Sequence, residues 1–182
     1  VSDNNYFQTI SFVDTLNGIA STLSGSSPKI FRTFDGGENW QHITTLGGYD
    51  LKDMCFIDSV TVYACGNGVL KSTDGGYNWI NINYTGLSGI HFLNSLTGFA
   101  VGGYNVIKTS DGGQNWTLIN SGLTNDVSLR QVQFIDEYNG IAAGKSVIHT
   151  SDGGQSWEIY DLFHDYLESA SMVNDSVWYT VG

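Results

Sequence analysis

The sequence predicts an all-β protein, a β-propeller of four-stranded antiparallel blades, and three observations predict it. A turn motif recurs as KSTDGGYNW (71–79), KTSDGGQNW (108–116) and HTSDGGQSW (149–157). A second, apolar motif alternates with it. The composition is that of strands joined by turns: of 182 residues, 23 are Gly, one is Pro and 13% are aromatic. Such a mixture favours pleated strands and reversing turns over helices.

The fuller turn motif is Thr/Ser-x-Asp-x-Gly-x-x-Trp. It occurs at Thr33, Asp35, Gly37 and Trp40; at Ser72, Asp74, Gly76 and Trp79; at Thr109, Asp111, Gly113 and Trp116; and at Thr150, Asp152, Gly154 and Trp157. The aspartates fall 39, 37 and 41 residues apart, and four of the five Trp belong to the motif. The second motif reads FVDTLNGIAS (12–21), FIDSVTVYACG (56–66), FLNSLTGFAVG (92–102) and FIDEYNGIAAG (134–144). A weaker copy, MVNDSVWYTVG, occupies 172–182.

Each unit therefore reads as an apolar strand, an Asp/Asn turn, two more strands, the Asp-Gly-Gly turn and a fourth strand opened by Trp. Residues 51–83 show it in full, with strands at about 51–57, 61–66, 68–73 and 79–83. Four strands in about 40 residues leave no room for helices, and that period belongs to propeller blades. The units span about 7–44, 51–83, 88–120 and 127–161, and 168–182 supplies the first hairpin of a fifth. Seven such blades would need about 280 residues. The chain is thus expected to be part of a larger, about seven-bladed propeller, with the remaining blades of the same polypeptide as neighbours.

Every fixed letter of the turn has a structural use. Asp-Gly and Gly-Gly supply the positive φ a hairpin needs to reverse. The Asp carboxylate accepts backbone N–H groups of its own turn, and the Thr/Ser hydroxyl braces it from the strand. The Trp ring covers the turn. The competing reading is a calcium site, but each copy offers one dependable carboxylate where calcium gathers several. No metal and no cofactor is expected.

The four copies resemble the Asp-box, or BNR, repeat of sialidases, some glycoside hydrolases and sortilin-type propellers. The pairing of F-[IV]-D…G-[IF]-A-x-G with T-[ST]-D-G-G-x-[NS]-W resembles the repeats of the Ycf48/Hcf136-like photosystem II assembly factor family. That resemblance runs through residues 7–182. It implies Asp-boxes at the turns between third and fourth strands, away from the usual ligand face. Sialidase chemistry, in turn, uses an arginine triad, and the chain holds two Arg, Arg32 and Arg130.

Charge narrows the partners. The net charge is −11, from 18 acids and 7 bases. Nucleic acid and anionic lipid both call for clustered bases, so neither is an expected partner. No apolar run has the roughly 18–20 residues that span a bilayer, so no direct membrane insertion is expected. The chain opens on Val1 rather than Met. A processed, extracytoplasmic, secreted or cell-surface protein is the expectation.

Cys55 and Cys65 flank one hairpin. With its turn centred on Val60 they would lie directly opposite, close enough for a disulfide. The alternative is two buried thiols in the slots that His91 and Val101 fill in the next unit.

A ligand is expected at the loops joining strand two to three and one unit to the next, because these share one end of the sheets. The candidate residues there are Tyr49, Tyr84, Tyr104, Arg130, Asp161, His164, Asp165 and Tyr166. In YDLFHDYLE (160–168), aromatics beside carboxylates suit a sugar, and His164 beside Asp165 suits acid–base chemistry or a metal. The plainer alternative is a solvated connection with Phe163 turned inward. No catalytic residue is nominated: a glycosidase pair is defined by a separation that sequence does not give. GxSxG is absent, and no phosphate loop precedes a helix. The expected function is a non-enzymatic scaffold binding a protein or a glycan. The alternatives are part of a xyloglucanase-like glycoside hydrolase and a photosystem-assembly-like factor.

Overall fold

The structure, a computed structural model, describes residues 6–22, 27–82, 84–119, 123, 127–160 and 166–182. Among these residues every regular element is a strand, and no helix is present. The chain divides into two compact units, Val1–Gly86 and Leu87–Gly182.

The first unit holds two four-stranded antiparallel sheets. One is β1 (Phe7–Phe12), β2 (Gly18–Thr22), β3 (Lys29–Thr33) and β4 (Gln41–Thr45). The other is β5 (Leu51–Phe56), β6 (Val62–Gly66), β7 (Val69–Ser72) and β8 (Ile80–Asn81). In each, the strands neighbour one another in chain order. The second unit repeats this with β9 (Gly89–Phe92), β10 (Gly98–Gly102), β11 (Asn105–Thr109) and β12 (Thr117–Leu118). It continues with β13 (Gln131–Phe134), β14 (Gly140–Ala143), β15 (Val147–Thr150) and β16 (Glu158–Tyr160). A two-stranded sheet of β17 (Ser169–Asn174) and β18 (Val177–Val181) follows.

Burial explains the apolar letters. The second strand of each four-stranded sheet is buried along its whole length, on both faces. It therefore reads as a continuous apolar run, whereas the fourth strands β8 and β12 are two residues long and exposed. The core of the first unit gathers Ile19, Ile30, Leu51, Met54, Phe56, Val62, Ala64 and Leu70. In the second unit Phe99 and Phe134 stack with ring centroids 3.5 Å apart, inside a cluster with Val101, Val106 and Ile148.

The Phe that opens the second motif has a fixed setting. Phe12, Phe92 and Phe134 pair across the strands with Gly18, Gly98 and Gly140. A Cβ at Gly140 would lie 2.5 Å from the Phe134 ring. The same rings meet the motif tryptophans edge-on: Phe12 with Trp40, Phe92 with Trp116 and Phe134 with Trp157, at 5.9–6.1 Å. The two repeated motifs are thus halves of one packing unit.

The cysteine register differs from the expectation. Cys55 pairs with Tyr63, and Cys65 pairs with Asp53. The Asp58 carboxylate accepts the Val60 and Thr61 N–H groups and centres the turn on Ser59 rather than Val60. Moving the turn centre by one residue shifts the pairing by two, so the cysteines lie diagonal rather than opposite, and no disulfide joins them. The Cys55 thiol donates to the Phe56 carbonyl at 3.3 Å.

Candidate functional site

Antiparallel pairing in chain order sends the loops of each sheet to two ends. The turns between first and second and between third and fourth strands share one end. The turns between second and third strands, and the links to the next sheet, share the other.

The first end is closed by two interlocked turns. At the third–fourth turn, the Thr33 hydroxyl donates to Asp35 Oδ1 at 2.7 Å and accepts the Gly37 N–H at 2.9 Å. Asp35 Oδ1 also accepts the Asn39 N–H, and its Oδ2 accepts the Asn39 side-chain amide. Ser72 with Asp74, Thr109 with Asp111 and Thr150 with Asp152 repeat the arrangement. Both glycines of every copy take positive φ, 68–96°, a region that side chains with a Cβ rarely enter. The first of them donates its N–H to the neighbouring first–second turn: Gly36 to Leu16, Gly75 to Val60, Gly112 to Leu96 and Gly153 to Tyr138, at 2.7–2.9 Å. That second turn is itself held by Asp14, Asp58, Asn94 or Asp136.

These bonds set the acidity of the turn. The Asn39 N–H, then its side chain and the Thr33 hydroxyl, hold Asp35 down to about 2. The Asn115 N–H and side chain do the same for Asp111, and the Ser156 hydroxyl and N–H for Asp152, each to about 2. At Asp74 desolvation pushes upward, but donors from Asn78, Ser72 and Tyr77 outweigh it and the net shift is down. Each carboxylate is spent on N–H and O–H donors of its own turn. Among the described residues no three His, Cys, Asp or Glu gather in a way that would hold a metal ion.

The other end carries the candidate site. In the first unit, Tyr49 lies against Gly68, and the Tyr84 carbonyl accepts the Val69 N–H at 3.0 Å. Both predicted tyrosines therefore flank the turn at Asn67 and Gly68. Asn67 locks the incoming link, accepting the Asp50 N–H and donating to the Gly48 carbonyl.

In the second unit two links converge on the turn at Gly144–Ser146. The Arg130 N–H donates to the Ala143 carbonyl, Lys145 to the Val127 carbonyl and Leu167 to the Gly144 carbonyl, at 2.7–2.9 Å. A Cβ at Gly144 would lie 2.0 Å from the Ser128 carbonyl oxygen, so only glycine allows the crossing. Ser128 itself adopts φ 39°, and among the described residues it is the only non-glycine at positive φ. Such strain at a loop crossing is the kind held in place at binding surfaces.

This crossing brings Arg130 and Tyr166 together. The Arg130 guanidinium stands 4.4 Å from the Tyr166 ring centroid and forms an ion pair with Glu168. All three remain solvent-accessible. The array offers a planar cation on an aromatic face, with a carboxylate that a ligand carboxylate can replace. Tyr104 is exposed on the turn after β10, beside the bridge between Gly103 and Leu129. Asp161, His164 and Asp165 lie outside the described residues. Ser128 and Glu168 were not among the residues nominated from sequence. A Glu eight letters after Tyr160 signals nothing until the chain folds back on Arg130.

Residues 80–167 match the sequence profile of the family described as photosynthesis system II assembly factor YCF48. No curated protein is similar enough in sequence to count as a relative. Among solved structures, YCF48 bound to a D1 peptide is 14% identical, with TM-score 0.57, covering all of this chain and 92% of that one. YCF48 from Cyanidioschyzon merolae is 19% identical, with TM-score 0.69, covering 95% of this chain and 62% of that one. The GH74 enzyme of Niastella koreensis is 16% identical, with TM-score 0.65, over 84% of this chain and 30% of that one. The chain has the β-propeller fold, built from BNR-type repeats similar to those of YCF48.

Proposed function

We propose that this protein is a non-enzymatic binding scaffold that captures a protein segment at the link end of its second unit. Arg130 is the anchor. Tyr166 holds the guanidinium in orientation, and Glu168 is the internal carboxylate that an acidic side chain or chain terminus displaces. The observation that carries the reading is the convergence of these three groups, fixed by the crossing at Ser128 and Gly144. Its further support is the match of residues 80–167 to an assembly-factor family, one member of which is seen bound to a peptide. A secreted or cell-surface setting belongs to this proposal.

The test is a peptide array carrying free C-terminal carboxylates and internal acidic residues, read by fluorescence polarisation. Arg130→Ala is expected to weaken any peptide hit at least tenfold, and Glu168→Gln to strengthen or preserve it. Peptide binding indifferent to Arg130 would overturn the assignment. A glycan-binding or glycoside-hydrolase reading has the GH74 likeness of fold behind it. Release of reducing sugar from xyloglucan by the purified chain would favour it.

A further inference from the structure

Two solvent-facing positions of the Asp-box break the repeat, and both breaks fall in the first unit. The residue after the motif hydroxyl is Thr73, Ser110 or Ser151 in three copies and Phe34 in the first. The residue after the second glycine is Glu38, Gln114 or Gln155 in three copies and Tyr77 in the second. Both positions are exposed in every copy. Gln114 and Gln155 brace their turns, donating side-chain amides to the Asp111 and Asp152 carbonyls at 3.0 Å. Tyr77 has no amide for this. Turn chemistry therefore calls for neither aromatic.

The fold brings the two together. The Arg32 guanidinium lies 5.0 Å from the Phe34 ring centroid and donates to the Gly75 carbonyl at 2.8 Å. Tyr77 follows Gly75 closely in the same turn and is within electrostatic reach of that guanidinium. The Gly75 N–H donates to the Val60 carbonyl at 2.7 Å. Phe34, Val60 and Tyr77 thus gather around one tie between sheets, and they are 54%, 48% and 46% exposed. Large apolar side chains collected in the open mark an interaction surface, and aromatics are enriched in such surfaces.

Charge says what kind of partner fits. The turns around the patch carry Asp14, Asp35, Glu38, Asp58 and Asp74, against Arg32 and Lys71. Backbone N–H donors hold Asp14 and Asp35 below the ordinary carboxylate value. At Asp58 and Asp74 desolvation pushes upward, but the turn donors outweigh it. All four are charged at neutral pH, whereas Arg32 is buried. An acidic segment would be repelled here. A basic one satisfies both features, with apolar groups on the rings and cationic heads at the carboxylates.

We infer that the turn end of the first unit docks a basic segment of a partner protein, in which Lys or Arg flanks large apolar side chains. The apolar side chains cover Phe34, Val60 and Tyr77, and the cations face Glu38, Asp58 and Asp74. This surface lies wholly in the first unit and selects the charge opposite to that proposed for Arg130. It does not depend on that reading.

The probe is a labelled peptide of Lys-Leu pairs separated by Gly, read by fluorescence polarisation on the intact protein. Saturable binding is expected. Phe34→Thr with Tyr77→Gln installs letters of the other copies without changing formal charge, and is expected to weaken binding about tenfold. Tyr77→Gln alone should weaken it about threefold, and leaves Arg32 its Phe34 ring. Glu38→Gln should weaken it about twofold, and Glu137→Gln in the second unit should leave it unchanged. Peptides with Ser in place of Leu, or of Lys, should each bind more weakly. Equal binding by the double variant overturns the inference, because the attraction is then only that of a chain of net charge −11. Equal binding of the peptide lacking Lys overturns it too, as does no binding at millimolar peptide. A dimer in sedimentation that the double variant abolishes also overturns it, because the occupant is then a second copy.

Discussion

The Arg32 guanidinium donates to the Gly75 carbonyl at 2.8 Å while lying 5.0 Å from the ring centroids of both Phe34 and Phe56. It is 4% exposed, and desolvation lowers its pKa below the usual arginine value. One of two arginines is therefore an internal tie between two sheets of the first unit rather than a surface charge. Arg32→Ala leaves the Gly75 carbonyl and two rings without their partner. A loss of roughly 2–4 kcal/mol is expected in urea unfolding. Arg32→Lys should lose less, since an ammonium reaches the carbonyl but lacks the planar face.

The hydroxyl of the turn motif both gives and receives. Ser72 donates to Asp74 and accepts the Gly76 N–H. Ser72→Ala strands a buried N–H and is expected to cost about 1–3 kcal/mol, measured by chemical denaturation. Ser72→Thr, the natural letter of the other copies, should be close to neutral.

Acid should weaken the protein over a defined range. Asp35, Asp111 and Asp152 titrate at about 2 when folded, against an ordinary value of 3.8. The folded value is the lower one, so their contribution is complete above the unfolded value. It is lost as pH falls from about 4 to 2. Carboxyl carbon NMR should find three midpoints near 2, and the thermal midpoint should fall across the same interval.

Gly140 lies under the Phe134 ring, which stacks on Phe99. Gly140→Ala forces a Cβ into that ring and should cost about 1–3 kcal/mol by overpacking. Thermal melting is the readout. A neutral result would mean that the stacked pair slides without penalty.

The two cysteines should differ in reactivity. Burial pushes the Cys65 thiol well above its ordinary pKa, with Asp53 adding to the effect. Cys55 is only partly buried. Iodoacetamide at neutral pH should label Cys55 first, and Cys65 only on unfolding. Both should label in denaturant without reductant, since no disulfide joins them.

What was legible in the residues is what neighbours in sequence decide. The four Asp-boxes, the strand order and the fold class follow from letters within about ten residues of one another. An Asp carboxylate bonding N–H groups up to four residues on, and a glycine pair at positive φ, close the same turn wherever they occur. The Phe and Gly of the second motif were visible as a repeat, but their contact with the motif Trp was not.

Only the tertiary structure decided the cysteine register, the reach of Arg32 to Gly75 and the meeting of Arg130, Tyr166 and Glu168. Each depends on how strands 30 or more residues apart, or a turn centred one residue over, align. Moving a turn centre by one residue shifts the pairing by two and changes which side chains face each other across the strands. Local chemistry therefore built the repeats, while long-range alignment of the strands placed the groups available for recognition.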